Sequence, residues 1–397
     1  RSCELTGASG RTVLQLATAE SSQKRYQLEG SLLLLNMAVN GMLMLDLGTG
    51  AHATLALAAL DAGAALVVAF ELNERALRSA VHALRARWAE AATTTGGGTA
   101  RVPRLATVGP VAWRYATAAQ EVWVVRGDVT VTCAHADVVD RLERWWAAAH
   151  AGDGIAPRIV LAHELLDDLA SSEDASAIVG TVQRTLCGVV GDARYLPVSV
   201  PERARTMACP VHVPPGADDG GVAGAGAKRS HAAAFAPPPL RPDARLVARG
   251  AVLYTHAVLP PAWRVAPWQP VETLAFATTL CPLGDIAHAP VTFVCDRRPV
   301  HALALTLRFD VDATTVYDVS TATRSNWRTV LVAVPAAVNG ALDPDDAHHL
   351  TVQLTMRRSA TAQLSYTLRF RCEGGGAEAA TTIAWADVVA AVGWEGA

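Results

Sequence analysis

Lysine is nearly absent from this chain: of 34 basic residues only Lys24 and Lys228 are lysine, and the rest are arginine. The arginines are scattered and the formal net charge is −3. There is no basic stripe, so nucleic acid is not expected as a direct ligand. No CxxC occurs. The seven cysteines, Cys3, Cys133, Cys187, Cys209, Cys281, Cys295 and Cys372, are widely spaced and odd in number. They give no signature of a disulfide framework or a zinc site, and the twelve histidines make no metal spacing. Such usage fits a reducing compartment, cytoplasm or mitochondrial matrix. A long unbroken apolar run is also missing. Ala53 to Phe70 comes nearest, but Asp61 and Gly63 stand in its middle, and an aspartate there would cost about 2.5–3.5 kcal/mol in a bilayer. No membrane span is expected. The chain opens on Arg1 rather than methionine, so trimming or processing is expected, with any targeting information that preceded Arg1 lost.

What is present is ample core material. A length of 397 residues with 51% apolar content rules out a wholly disordered chain and suggests two or three domains. Residues 1–41 read as an N-terminal helical segment, with a helix over Gln23 to Ala38. Residues 42–199 then alternate buried-strand and helix signals. Met42 to Leu47 and Ala65 to Phe70 are continuous apolar runs, the pattern of strands covered on both faces. Glu121 to Val125 and Arg158 to Leu161 read as further strands, with a helix over Asp137 to His150 between them. From about 210 to 242 the chain is Pro, Gly and Ala with few large apolar residues, a loop composition. After it come short β-rich runs separated by Pro, Gly and Asp: Val252 to Val258, Ala275 to Leu280, Val291 to Val294, Ala302 to Phe309, Thr329 to Val334, His349 to Met356 and Gln363 to Phe370. The expected architecture is therefore α/β followed by β: a Rossmann-like half, then a β-barrel over 200–397.

The first chemical signal is Asp46-Leu-Gly48-Thr-Gly50, directly after a buried strand and before a helix. Glycines there let backbone approach a ligand, and an acid ending the next strand, Glu71, can hold a ribose through its hydroxyls. A dinucleotide fingerprint would need a third glycine, which Ala51-His52-Ala53 does not supply. The aspartate before the first glycine favours S-adenosylmethionine enzymes. The plain alternative is a tight strand-to-helix turn with no ligand. The second signal is a pair of acids. Glu164 ends the strand Arg158 to Leu161, and Glu173 follows nine residues later. Two carboxylates held apart by a hairpin suit a planar guanidinium. The competing reading makes Ser171 or Ser172 a helix cap with Glu173 in the first turn.

Downstream lie Pro201-Glu-Arg-Ala204, opening the β half, and Ser325-Asn326-Trp327. In this order the motifs resemble those of the protein arginine methyltransferases, most closely the single-module, monomethylating branch known from protists. The resemblance spans roughly Val13 to Phe370. It implies an S-adenosyl-L-methionine cofactor held by Asp46, Gly48, Gly50, Glu71 and Val129. It also implies a substrate-arginine clamp of Glu164 and Glu173, with Asn326 and Trp327 at the pocket rim. The chemistry would be in-line methyl transfer to a guanidino nitrogen, driven by positioning and electrostatics.

This sequence departs from that pattern at the pockets. The glycine turn lacks its third glycine and is one residue longer. Arg1 to Ala19 carries no tyrosine to close over a cofactor. An adenine-binding acid expected after Gly127-Asp128-Val129 is Thr130, and the histidine of a Thr-His-Trp loop is Asn326. The expectation is a methyltransferase-like scaffold with impaired catalysis. It would serve as a non-catalytic partner of an active relative or as a subunit of a larger assembly; the alternative is an active monomethylating enzyme. The loop insertion is expected to push His52 or its neighbours between Gly48 and Glu71. The 210–242 stretch, where the family inserts its dimerisation arm, has Phe235 as its one aromatic, so no arm-mediated homodimer is expected. Trp145-Trp146 and the Ala91 to Ala119 stretch are the candidate contact surfaces.

Overall fold

A computed structural model describes residues 3–6, 12–16, 40–94, 109–151, 158–166, 169–212, 252–255, 259–312, 314, 316–320, 329–339, 348–359, 363–373 and 376–385. Near the N-terminus, β1 (Cys3–Thr6) and β2 (Thr12–Leu16) pair antiparallel. These residues pair as strands where a helical segment was expected; Cys3–Thr6 alternates apolar and polar side chains in the strand period. The helix expected over 23–38 lies outside the described residues.

The first half is a six-stranded mixed sheet built from β3 (Leu43–Leu47), β4 (Leu66–Glu71), β5 (Val111–Ala116), β6 (Glu121–Arg126), β7 (Ile159–His163) and β8 (Val198–Val200), in the order β5-β6-β4-β3-β7-β8. All pairs are parallel except β5 with β6. Helices α1 (Thr54–Asp61), α2 (Glu74–Thr94), α3 (Val129–Thr132), α4 (Ala136–His150) and α5 (Ala175–Val190) connect the strands. Every residue of β3, β4 and β7 is buried, which is why those strands read as unbroken apolar runs. The chain leaves β3 toward β4 and β6, then returns to β7 on the other side of β3. That reversal puts the topological switch point at the C-terminal end of β3.

The second half is antiparallel. One sheet runs β10 (Val252–Thr255), β16 (Thr329–Ala333), β14 (Ala302–Asp310), β9 (Arg203–Val211), β11 (Gln269–Ala275), with β15 (Val316–Asp318) also on β14. The other runs β12 (Ile286–Ala287), β17 (His348–Arg358), β18 (Leu364–Cys372), β19 (Glu378–Ala384), with β13 (Val291–Cys295) also on β17. Leu303, Leu305, Val330 and Val332 from the first sheet share one buried core with Phe293, Leu350, Val352, Leu354 and Phe370 from the second. A 3-10 turn (Pro261–Trp263) and a short helix, α6 (Ala336–Asn339), also belong to this half. The strand expected over Ala275 to Leu280 is instead β11, about six residues earlier. Pro270 in its second position, and a bulge between Pro270 and Glu272, hide it from a period-two reading. Strand β9 runs on to Val211, so the described chain is still extended at Pro210, where the loop was expected to begin. Residues 213–242 of that loop lie outside the described residues.

Helix α5 docks the first half onto the second. The buried Gln183 side chain donates from Nε2 to the Phe276 carbonyl (2.8 Å) and accepts from the Cys281 amide (2.8 Å). Ser176 Oγ donates to the Pro282 carbonyl at 2.6 Å, and Arg184 Nη1 to the Cys281 carbonyl at 3.0 Å. The approach depends on Gly180, where an added Cβ would lie 2.5 Å from the Cys281 oxygen. Gly180→Ala is therefore expected to force the helix off the barrel loop and cost about 1–3 kcal/mol. Urea denaturation reads this directly, and an unchanged midpoint would show that the contact gives way freely.

Candidate functional site

Strand β3 delivers Asp46 and the glycine turn to the switch point. Asp46 is 1% exposed, and its Oδ2 accepts from Thr49 Oγ1 at 2.6 Å. Burial, with the negative charges of Glu164 and Glu71 nearby, raises its pKa to about 7 against the pull of the Thr49 hydroxyl and the Ala56 amide. The turn itself needs glycine, with φ of 79° at Gly48 and 65° at Gly50. Glu71 ends β4 immediately beside it. Its Oε2 accepts from the Gly50 amide (2.8 Å) and its Oε1 from the Asn73 amide (2.7 Å). The Gly48 and Thr49 amides both donate to the Phe70 carbonyl, at 3.1 and 2.8 Å. All three amides of the turn are thus engaged with the end of β4.

The expectation that His52 or a neighbour projects between Gly48 and Glu71 is not borne out. Gly50 bridges that gap through its own amide, and His52 is exposed. The longer turn instead ends at Ala53, fully buried in the left-handed region with φ 48° and ψ 40°. A Cβ there costs about 1–2 kcal/mol relative to glycine.

Glu164 follows β7 at the same sheet edge and is half-buried. The structure thus brings Asp46, Gly48, Gly50, Glu71 and Glu164 together at the ends of β3, β4 and β7. Val129 opens α3 beyond the end of β6, one strand further out, with Asp128 capping that helix at the Thr130 amide. Thr130 Oγ1 donates to the same Asp128 carboxylate at 2.7 Å. Glu173 is exposed, while its neighbour Asp174, left-handed at φ 61°, forms an ion pair with Arg358 of β17. Burial pushes the Asp174 carboxyl up despite that partner. Asn326 and Trp327 lie outside the described residues.

The serines between the two acids do not cap α5; they are buried. Ser171 Oγ donates to Glu272 Oε1 and lies 2.9 Å from the Tyr366 hydroxyl. Thr206 Oγ1 donates to Glu272 Oε2 and accepts from the Ala170 amide at 3.0 Å. Glu272, 1% exposed, is the hub of this network, with His288 Nε2 at 3.7 Å. Sequence reasoning missed it. The bulge turns Val271 and Glu272 both inward, where alternation would place one of them outside. Trp145 is buried and Trp146 half-buried, packed on His150 and Tyr195 with ring centroids 4.2 and 5.5 Å away. This pair serves the chain's own core before any partner.

No protein-family model and no curated protein sequence matches the chain. Solved structures do. The complex of PRMT6 with SAH superposes with a TM-score of 0.60 at 13% identity, covering 88% of this chain and 97% of that one. This chain has the fold of the protein arginine methyltransferases. The Arabidopsis thaliana protein arginine methyltransferase 10 gives a TM-score of 0.53 at 13% identity, over 90% of this chain and 93% of that one. The Trypanosoma brucei PRMT1 enzyme–prozyme heterotetrameric complex with AdoHcy gives 0.51 at 12% identity, over 90% and 94%. The methyltransferase-like sheet and the β-barrel are therefore both in the arrangement those enzymes share. No helix among the described residues is long and apolar enough to cross a membrane.

Proposed function

We propose that this protein is a protein arginine methyltransferase-like scaffold of impaired catalysis that works through contacts with other protein chains, as a partner of an active relative or a subunit of a larger assembly. The observation that carries this reading is the closed glycine turn: the Gly48, Thr49 and Gly50 amides are all bonded to Phe70 and Glu71. An S-adenosyl-L-methionine molecule would have to compete with these bonds for the turn and for the ribose acid. Thr130 stands where an adenine-binding acid would be, and Ala53 adds a Cβ where glycine is unstrained. The residues present fit that cofactor poorly. A similar solved structure is an enzyme–prozyme heterotetramer, which supports pairing with a relative. The compartment proposed is a reducing one, cytoplasm or mitochondrial matrix, in keeping with free thiols at Cys133, Cys187, Cys209, Cys281, Cys295 and Cys372 among the described residues.

One observation favours the active alternative. Leu72 and Val131, 72% and 69% exposed, stand beyond the ends of the adjacent strands β4 and β6, and a flat aromatic ligand between them would bury apolar surface. Calorimetric titration with S-adenosylhomocysteine separates the two readings. No heat at millimolar ligand is expected. Micromolar binding, together with methyl transfer to an arginine-rich peptide that Glu164→Gln abolishes, would overturn the scaffold reading.

A further inference from the structure

The outer face of the second barrel sheet carries cations that nothing in the described fold neutralises. On β18, Leu368, Phe370 and Cys372 point into the core, so Arg369 and Arg371 point outward. Both are exposed, and neither forms an ion pair with a described residue. Arg357 on the neighbouring β17 is exposed and unpaired in the same way. β18 is an inner strand, flanked by Gln353 and Ala380 at Arg369 and by Thr351 and Glu378 at Arg371. Thr351 and Ala380 are short beside the arginines, and a groove of about 170 Å³ lies there, its lining including Thr351, Gln353, Arg369, Arg371, Glu378 and the buried Phe370. Glu378 lies directly opposite Arg371 in register yet makes no ion pair with it.

We propose that this groove binds an extended acidic peptide segment of a partner protein. Alternate side chains of a strand stand about 6.6–6.8 Å apart, the spacing of Arg369 and Arg371. Carboxylates at alternate positions of an extended peptide laid along β18 repeat at the same interval. Each planar guanidinium can take one of them with two parallel hydrogen bonds. The Gln353 side chain, which donates from Nε2 to the His288 carbonyl at 3.1 Å, borders the groove with its amide oriented by that bond. Single-stranded nucleic acid would want aromatic platforms for its bases. The outward positions from Thr351 to Arg357 and those on β18 and β19 carry no Trp, Tyr or Phe.

The test is fluorescence anisotropy of the full chain with a labelled poly-glutamate peptide at low salt, with poly-uridylate RNA as competitor. Binding is expected, weakening as salt is raised. It should fall by roughly tenfold in the Arg369→Ala/Arg371→Ala double variant, the loss of two charge-assisted contacts. Glu378→Gln should tighten it, and Arg144→Ala, an exposed arginine on α4, should leave it unchanged. No binding by the wild type, equal binding by the double variant, or stronger binding of the RNA with the same arginine dependence would each overturn the proposal. Thermal melting of the double variant should match the wild type, because both side chains are exposed.

Discussion

Glu272→Ala is expected to lower the stability of the chain by about 3–6 kcal/mol, since two hydrogen bonds to a buried carboxylate are each worth about 1.5–3 kcal/mol. The carboxylate accepts from Ser171 and Thr206, and Ser171 in turn meets Tyr366. Truncation would leave all three hydroxyls around a cavity that the surrounding strands close only in part. Glu272→Gln should cost less, because its amide oxygen still accepts one of the two hydroxyls. The effect should also be local before it is global. Ser171 lies in the segment joining Glu164 to Glu173, and Ala170 is tied to Thr206 at 3.0 Å, so losing the hub frees that segment from the barrel. Hydrogen exchange of the amides at 169–174 should rise in Glu272→Gln and Tyr366→Phe even where the urea midpoint barely moves. Exchange unchanged in both variants would mean that helix α5 alone holds the segment.

That network also shows where a sequence stops being readable. The switch-point residues were legible because each sits at the end of a strand buried on both faces, and such strands announce themselves as apolar runs. Asp46, Glu71 and Glu164 are each the first polar break, or nearly so, in an apolar stretch, and the strand pairing then places them side by side. Glu272 breaks an apolar pattern too, but a bulge and a proline remove the period that would have marked it as inward. Its partners lie 101 and 66 positions away in sequence, beyond any local rule. The same holds for Gln183, whose amide is matched to backbone groups 93 and 98 positions on. The edge strand β5 was missed for a plainer reason: Val111–Ala116 is half-exposed and interrupted by Arg114, so it has neither a clean run nor a clean alternation. Composition could announce the closing of the glycine turn no better, since it depends on which way three amides point.

His163→Phe is expected to make the chain about 3 kcal/mol more resistant to acid at pH 4, relative to its effect at pH 7.5. His163 ends β7 beside Glu164, is 2% exposed and packs edge-on to Phe276 with ring centroids 4.7 Å apart. Among the described residues neither ring nitrogen has a hydrogen-bond partner, and burial lowers its pKa from 6.5 to about 3. Such a ring cannot serve as a general base near neutrality. Because the folded pKa is depressed, the unfolded chain binds a proton below pH 6.5 that the folded chain refuses. Stability is full above that point and falls as pH drops toward 3. Asp46 has the opposite sign. Its folded pKa, raised from 3.8 to about 7, favours the folded chain below about pH 4, and that contribution is lost as pH rises to 7. Between about pH 4 and 6.5 the two slopes cancel, so the wild type should show a flatter profile than either single variant. Asp46→Asn should leave the histidine slope exposed, with stability rising with pH, and His163→Phe should leave the aspartate slope, with stability falling. Urea denaturation across this range separates them, and parallel profiles for wild type and both variants would show that neither group titrates as its burial dictates.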